Sequence, residues 1–207
     1  MNQDYAVVRP QESVLATNKL IKNTYILLSM TLLFSAFTAG LSMVFNLPHP
    51  GMILTLVGYF GLLWATTKFA NSSWGLLCVF ALTGFMGLTI GPIINAYTQA
   101  FSNGDQLVMM AMGGTGVIFL GLCGYALSSR KDFSFMGGFL MVGILVAFLA
   151  GIGAAIFSIP ALSLAVSAMF ILLMSGLILY QTSAMVHGGE TNYILATVGL
   201  YVSIYNL

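Results

Sequence analysis

Polar side chains that could do chemistry are scarce in this chain, and several gather in one short stretch near its end. The stretch, ILYQTSAMVHGGETNY at residues 178–193, contains one of the two histidines, His187, and the last acidic residue, Glu190. Both side chains can gain or lose a proton, and histidine changes charge nearest neutral pH. His187 and Glu190 are therefore candidate pH sensors. The alternative is structural, because Glu190, Thr191 and Asn192 suit the cap of a following helix and the glycine pair suits a turn. We expect capping to be the main role.

No other set of residues has the types and spacing of a catalytic centre or a metal site. A serine hydrolase element of the Gly-x-Ser-x-Gly type is absent, and so is a pair of aspartates within apolar runs. Cys78 and Cys123 both lie in apolar runs, where a thiol behaves as a small hydrophobic group. We therefore expect no enzyme, no catalytic residue, no metal and no cofactor.

The composition is that of a membrane protein. Of 207 residues, 59% are hydrophobic and 5% are charged, whereas soluble domains carry about 25% charged residues. The partner that this predicts is the lipid bilayer. Nucleic acid is not expected, because the net charge is +1 and no basic patch occurs. The expected fold class is all-α, a polytopic membrane protein with transmembrane helices.

Seven apolar runs are separated by turn residues or charges. Their approximate ranges are 25–45, 51–67, 74–97, 106–127, 135–157, 161–186 and 192–207. The last run holds about 15 residues, too few to cross a ~30 Å hydrocarbon core at about 1.5 Å per residue. We expect it to be truncated or re-entrant. This divides the chain into a tail, residues 1–22, and a seven-helix transmembrane domain, residues 23–207.

The basic residues predict the orientation of these helices. All six fall on the same side of an alternating arrangement, namely Arg9, Lys19, Lys22, Lys68, Arg130 and Lys131. Because positive charge accumulates on the cytoplasmic side, the N-terminus is expected in the cytoplasm. The segment Met1–Asn18 is polar and short of aromatic residues, so we expect it to be unstructured.

Small and hydroxyl-bearing residues form stripes along single helix faces. One stripe consists of Gly84, Gly87 and Gly91, and another of Thr31, Ser35, Thr38 and Ser42. Such stripes allow close helix packing, which is the interpretation we favour. The alternative, a hydrated path, would need an ionisable group inside the membrane, and no formal charge lies within the predicted spans.

Four ordered elements resemble a known family. They are GPI at 91–93, AMGGT at 111–115, KDFSF at 131–135 and LYVSIYN at 200–206. Their order and spacing are similar to those of the Bax inhibitor (TMBIM) family of seven-span membrane proteins. The HGGETNY segment at 187–193 further resembles a bacterial inner-membrane branch of that family. That branch implies a multi-pass protein of the bacterial inner membrane and a partner, the membrane-anchored ATP-dependent protease FtsH, of which the chain would be a substrate and modulator.

The same resemblance implies an alternative function, a pH-sensitive calcium leak. In the family this leak depends on two aspartates in the last two helices, which share a proton because like charges that close raise one pKa. The positions that match them here are Gln181 and Ser203, and neither side chain ionises at physiological pH. We therefore expect Gln181 and Ser203 to form a structural hydrogen bond, with calcium ion as a possible ligand only in the alternative.

Overall fold

The computed structural model describes the backbone of residues 5–207 and the side chains of residues 14–207. Within this part of the chain the only regular elements are helices, as predicted for an all-α membrane protein. They are α1 (Tyr5–Val44), α2 (Met52–Phe69), α3 (Ser73–Ala100), α4 (Gly104–Ser129), a 3₁₀ turn (Ser134–Met136), α5 (Gly137–Ile156), α6 (Pro160–Val186) and α7 (Tyr193–Asn206).

Helices α1 to α6 are long and apolar enough to cross a bilayer in the described residues. Each covers most of one of the predicted apolar runs, although α1 begins well before its run. Helix α7 has 14 residues, which corresponds to about 21 Å and is shorter than a ~30 Å hydrocarbon core. Many large apolar side chains of the long helices are exposed, as expected of surfaces that face lipid rather than water.

The start of α1 differs from the sequence prediction. Met1–Asn18 is predicted to be unstructured, but the backbone is helical from Tyr5 onward, so the prediction is wrong for Tyr5–Asn18. Residues 1–4 lie outside the described residues. From Gln11 onward the physical reason is propagation: between Gln11 and Val44 there is no proline, and each residue added to an existing helix gains a hydrogen bond without a new nucleation cost.

The helix ends follow local backbone chemistry. After α1 the backbone turns through Asn46, which has φ +47°, and the Leu47 N–H donates to the Ser42 carbonyl at 2.9 Å. After α5 the same kind of bond joins the Ile159 N–H to the Ala154 carbonyl at 3.1 Å. Pro160 then opens α6, where its missing N–H has no helical partner to lose.

The chain divides into two compact units. The first runs to Gly113 and takes in Thr191–Tyr201, and the second comprises Gly114–Glu190 and Val202–Leu207. In the first unit α3 packs against both α1 and α2, with Phe34 of α1 edge-on to Phe80 of α3 at 5.5 Å between ring centroids.

In the second unit α5 packs along α6 around a small apolar cluster. Leu140, Ala147 and Leu173 are its buried centre. Two glycines make the close approach possible, because a methyl group at Gly143 would lie 2.6 Å from the Leu173 side chain and one at Gly176 would lie 2.8 Å from that of Leu140.

Candidate functional site

Gln181 of α6 and Ser203 of α7, which the sequence singles out as a pair, are in contact. The Ser203 hydroxyl donates a hydrogen bond to the Gln181 side-chain oxygen at 3.2 Å. Ser203 is fully buried and Gln181 is half-buried. An amide and a hydroxyl have no carboxylate charge with which to attract a divalent cation, whose protein ligands are predominantly charged oxygens. The bond does tie two helices together, which in a membrane is worth about 0.6 to 2 kcal/mol.

A second polar contact lies next to this pair on α6. The Cys123 thiol of α4 and the Thr182 hydroxyl are 3.6 Å apart, and both side chains are buried. From the sequence alone we expect Cys123 to behave as a small apolar group, and its contact with Thr182 is not predicted. Because Thr182 follows Gln181 directly, the last turns of α6 carry polar contacts to more than one helix of the second unit.

His187 lies against the turn between α4 and α5, although no partner for it is evident from the sequence. Its Nε2 is 3.1 Å from the carbonyl oxygen of Arg130. Its Nδ1 is 2.9 Å from the carbonyl oxygen of Ser183 and 3.2 Å from the Ser183 hydroxyl. The spacing of Ser183 and His187, one helical turn apart, is the signal that would have revealed this contact.

Ser183 joins the same turn through its hydroxyl. The oxygen accepts the Phe133 N–H at 3.0 Å, and the hydroxyl lies 3.2 Å from the Lys131 carbonyl, to which it donates. Ser183 is 1% exposed, so water does not compete freely for these bonds. Ser183 and His187 together contact the backbone of three residues of the α4–α5 turn, Arg130, Lys131 and Phe133.

Asp132 stabilises the turn from its own side. Its carboxylate accepts the Ser134 N–H at 2.8 Å. Hydrogen bonds from the Ser134 backbone and side chain lower the pKa of Asp132. Desolvation opposes them, and the positive charge that His187 can carry is the smallest of the effects and lowers the pKa further. Asp132 therefore stays ionised throughout the physiological pH range.

The glycine pair and the residues after it form the turn and cap predicted from the sequence pattern, but not all three candidate caps take part in the same way. Gly188 adopts φ +79°, and the N–H groups of Gly189 and Glu190 both donate to the Ala184 carbonyl, at 2.8 and 3.2 Å. This closes the C-terminus of α6 in the manner of a Schellman motif. Glu190 thus contributes its backbone to the end of α6.

Asn192 is the residue that caps α7. Its side-chain oxygen accepts the N–H groups of Ile194 and Leu195 at 2.8 and 3.3 Å. Its side-chain nitrogen donates to the Ala70 carbonyl at 3.1 Å and to the Asn71 side-chain oxygen at 2.8 Å. One amide therefore connects the start of α7 to the turn between α2 and α3.

The glycines of the α3 stripe face α1. A methyl group at Gly84 would lie 2.6 Å from the ring of Phe34, and one at Gly91 would lie 2.7 Å from the Ala39 carbonyl. At Gly87 it would overlap the Ser35 carbonyl and the side chain of Thr38. Only residues without a side chain allow this separation of the two helices.

One residue of the hydroxyl stripe of α1, Ser42, supplies a hydrogen bond to α3. Pro92 lies inside α3 and has no N–H, so the carbonyl of Leu88 loses its usual helical partner. The Ser42 hydroxyl donates to that carbonyl at 3.0 Å, and Ser42 is 1% exposed. Ser42 therefore satisfies a backbone acceptor that lipid cannot satisfy.

Tyr201 of α7 extends this polar network within the first unit. Its hydroxyl is 2.7 Å from that of Ser35 on α1 and donates to the Thr83 carbonyl of α3 at 3.3 Å. Tyr201 is 2% exposed. A buried tyrosine hydroxyl needs such partners, and here they come from two other helices. The LYVSIYN element contains Tyr201, but the sequence alone does not predict its hydrogen bonds to α1 and α3.

No group of three or more His, Cys, Asp or Glu side chains in residues 14–207 is placed to hold a metal ion. The chain is an all-α polytopic membrane protein. Its apolar helices, the close packing at the glycines of α3 and the neutral pair Gln181 and Ser203 characterise it. A model of the family described as inhibitor of apoptosis-promoting Bax1 matches residues 17–207, so the chain belongs to the Bax inhibitor family. The family resemblance read from the sequence is confirmed.

Within that family the chain is similar to a particular bacterial protein. It is 53% identical over 195 residues, covering 94% of this chain and 88% of the relative, to the Escherichia coli K12 protein named modulator of FtsH protease YccA. The counterpart in Escherichia coli O6:H1 has the same identity and coverage and is named inner membrane protein YccA. Mouse protein lifeguard 4 is 28% identical over 196 residues, 90% of this chain and 80% of the relative.

Proposed function

We propose that this chain is a modulator of an FtsH-type membrane protease in the bacterial inner membrane, and that it acts as a slow or competing substrate. The observation that carries this proposal is the 53% identity, over 94% of the chain, to a protein named for modulating FtsH. The two Escherichia coli relatives are named as a modulator of FtsH and as an inner membrane protein, which agrees with a regulatory role.

The first helix offers a point of engagement. On this proposal residues 1–22 form a cytoplasmic segment, as the distribution of basic residues favours. Val14 and Leu15 are 58% and 68% exposed, so this part of α1 is held by few tertiary contacts. A helix end with few contacts opens locally at small cost, and a ring-shaped ATP-dependent protease requires such an end to start pulling.

The rest of the chain offers resistance to extraction. Ser42 satisfies the Leu88 carbonyl, and Tyr201 joins α7 to α1 and α3 through buried hydrogen bonds. Pulling out one helix would break these bonds where lipid provides no replacement. A protease that holds a substrate of this kind remains occupied for longer, which is how a substrate can restrain its own protease.

Degradation by purified FtsH in proteoliposomes tests the engagement step. Deleting residues 2–18 should slow degradation several-fold while the protein still co-purifies with FtsH. The matched control replaces residues 2–18 by a glycine and serine sequence of equal length, which should restore degradation because it restores an accessible end. An unchanged rate in the deletion variant would refute engagement through the N-terminal segment. Absence of co-purification by the unmodified chain would refute the modulator function itself.

The alternative, a calcium leak, is disfavoured by the hydrogen bond between Gln181 and Ser203. Ca²⁺ flux into liposomes that contain only this protein separates the two functions. The unmodified chain should pass little Ca²⁺, and the double substitution Gln181→Asp with Ser203→Asp should raise the flux. The control is Gln181→Asn with Ser203→Thr, which keeps both positions neutral. Acid-tuned Ca²⁺ flux through the unmodified protein would favour the leak over the modulator.

A further inference from the structure

The position of His187 has an unusual feature: a backbone carbonyl faces each of its ring nitrogens. Nε2 is 3.1 Å from the Arg130 carbonyl oxygen, and Nδ1 is 2.9 Å from the Ser183 carbonyl oxygen. A carbonyl oxygen can only accept a hydrogen bond. Both contacts are therefore favourable at once only when both nitrogens carry a proton, which is the charged form of histidine.

Each neutral form of the ring loses one of the bonds that hold the turn. With the proton on Nδ1, the Arg130 carbonyl has no donor. With the proton on Nε2, the bare Nδ1 faces the Ser183 carbonyl, and the favourable adjustment is for the Ser183 hydroxyl, 3.2 Å away, to donate to Nδ1. That hydroxyl then stops donating to the Lys131 carbonyl. Deprotonation thus costs the α4–α5 turn one bond in either tautomer.

We propose that His187 is a proton-controlled clasp that fastens the α4–α5 turn, residues 130–134, to the C-terminal end of α6 when it is protonated and loosens it when it is neutral. His187 is exposed and lies just beyond α6, where solvent can reach the ring. Histidine side chains change charge between about pH 5 and pH 8, so the clasp tightens as the pH falls through that range.

The charged groups around the ring favour this behaviour. Asp132 on the turn remains anionic over the whole range, and it interacts electrostatically with His187. Arg130 and Lys131 also lie on the turn, but both side chains are exposed, where their repulsion of the ring is screened. Glu190 lies three residues further along the chain, in the turn after α6.

The turn itself requires an external fastening. Arg130 adopts φ +50°, a left-handed conformation that is unfavourable for a residue with a side chain and persists only where other contacts hold it. Its carbonyl is the one that His187 contacts. The strained residue, Arg130, is thus in direct contact with His187, the residue that can gain or lose a hydrogen-bond donor. Loss of that donor should raise the mobility of the turn.

Amide hydrogen exchange in lipid nanodiscs tests the clasp. The measured quantity is the protection factor of peptides that cover residues 130–136, after correction for the intrinsic pH dependence of exchange, at about pH 5.5 and about pH 8. In the unmodified protein we expect protection to fall about tenfold at the higher pH, as loss of roughly one hydrogen bond predicts. His187→Gln should remove the pH dependence, whereas the matched control His49→Gln, at the exposed histidine of the α1–α2 loop, should keep it.

A permanently charged substitution guards against a variant that fails to fold. His187→Arg keeps a positive charge at both pH values, so the protection of residues 130–136 should differ less than twofold between them. Equal protection of the unmodified protein at the two pH values would overturn the proposal. So would a tenfold pH effect that survives in His187→Gln or in His187→Arg, because the titrating group would then lie elsewhere.

Discussion

The hydrogen bond from Ser42 to the carbonyl of Leu88, which lacks its helical partner because of Pro92, leads to a prediction about stability. Ser42→Ala removes the hydroxyl that donates to the Leu88 carbonyl, whose own helical partner is missing because residue 92 is proline. The bond is 3.0 Å long and Ser42 is 1% exposed, so water cannot easily replace the lost donor. An unsatisfied buried acceptor costs about 1–3 kcal/mol, and hydrogen bonds between membrane helices average about 0.6 kcal/mol. We expect Ser42→Ala to lower the free energy of unfolding by about 1–2 kcal/mol.

A double-mutant cycle separates this cause from general loss of packing. Pro92→Ala provides an N–H for the Leu88 carbonyl, so in that background Ser42→Ala should cost less by about 1 kcal/mol. Reversible unfolding by SDS in mixed micelles measures the four proteins of the cycle. Ser29→Ala serves as a control, because the Ser29 hydroxyl is exposed and bonds only within its own helix, to the Tyr25 carbonyl at 2.8 Å. The same cost for Ser42→Ala with proline or alanine at position 92 would refute the reasoning.

Three further predictions concern other contacts. Tyr201→Phe should lower the free energy of unfolding by about 1–3 kcal/mol in the same assay, because it leaves buried partners on two helices without their bond. Gly87→Ala should cost about 1–3 kcal/mol through overlap with α1, whereas Gly113→Ala, with no atom within 4 Å of the added methyl group, should be neutral or slightly stabilising; equal effects would contradict the packing role. The lowered pKa of Asp132 means that its charge stabilises the fold above the pKa of the unfolded chain, about 3.9, and that this contribution disappears as the pH falls through the folded value. Thermal melting should therefore show Asp132→Asn below the unmodified protein at neutral pH, with the difference shrinking as the pH is lowered below about 3.9.

The helices were predictable because membrane insertion depends on long apolar runs, and these are visible without any tertiary information. Prolines and polar turns such as those around Pro48 and Pro160 mark their ends. The start of α1 was not predictable by the same criterion, since a polar composition lowers the expected burial but does not prevent a helix that extends from a stable span. A polar composition therefore indicates that the start of α1 is not buried, but it does not indicate whether that segment is helical.

The candidate sites divide in the same way. Gln181 and Ser203 could be paired from the family resemblance, and they are in contact. The contact of His187 with the α4–α5 turn could not be found in this way, because its partner there is the backbone carbonyl of Arg130, 57 positions earlier in the sequence. Backbone groups are present at every residue and carry no sequence signal. Ser42 and Pro92 were both noticeable as residues, but their relation depends on the close approach of α1 and α3, which only the three-dimensional arrangement reveals.

The amide of Asn192 has a consequence for the order in which the protein can be assembled. Its side-chain oxygen caps the N-terminus of α7. Its side-chain nitrogen donates to the Ala70 carbonyl, 122 positions earlier in the chain, and to the Asn71 side chain, 121 positions earlier. During synthesis α2 and α3 leave the ribosome long before α7 does, so the turn between them is available as a preformed dock. The start of α7 can form its bonds to this turn only after α7 has been made. The docking of α7 therefore depends on the correct placement of α2 and α3, which are made much earlier.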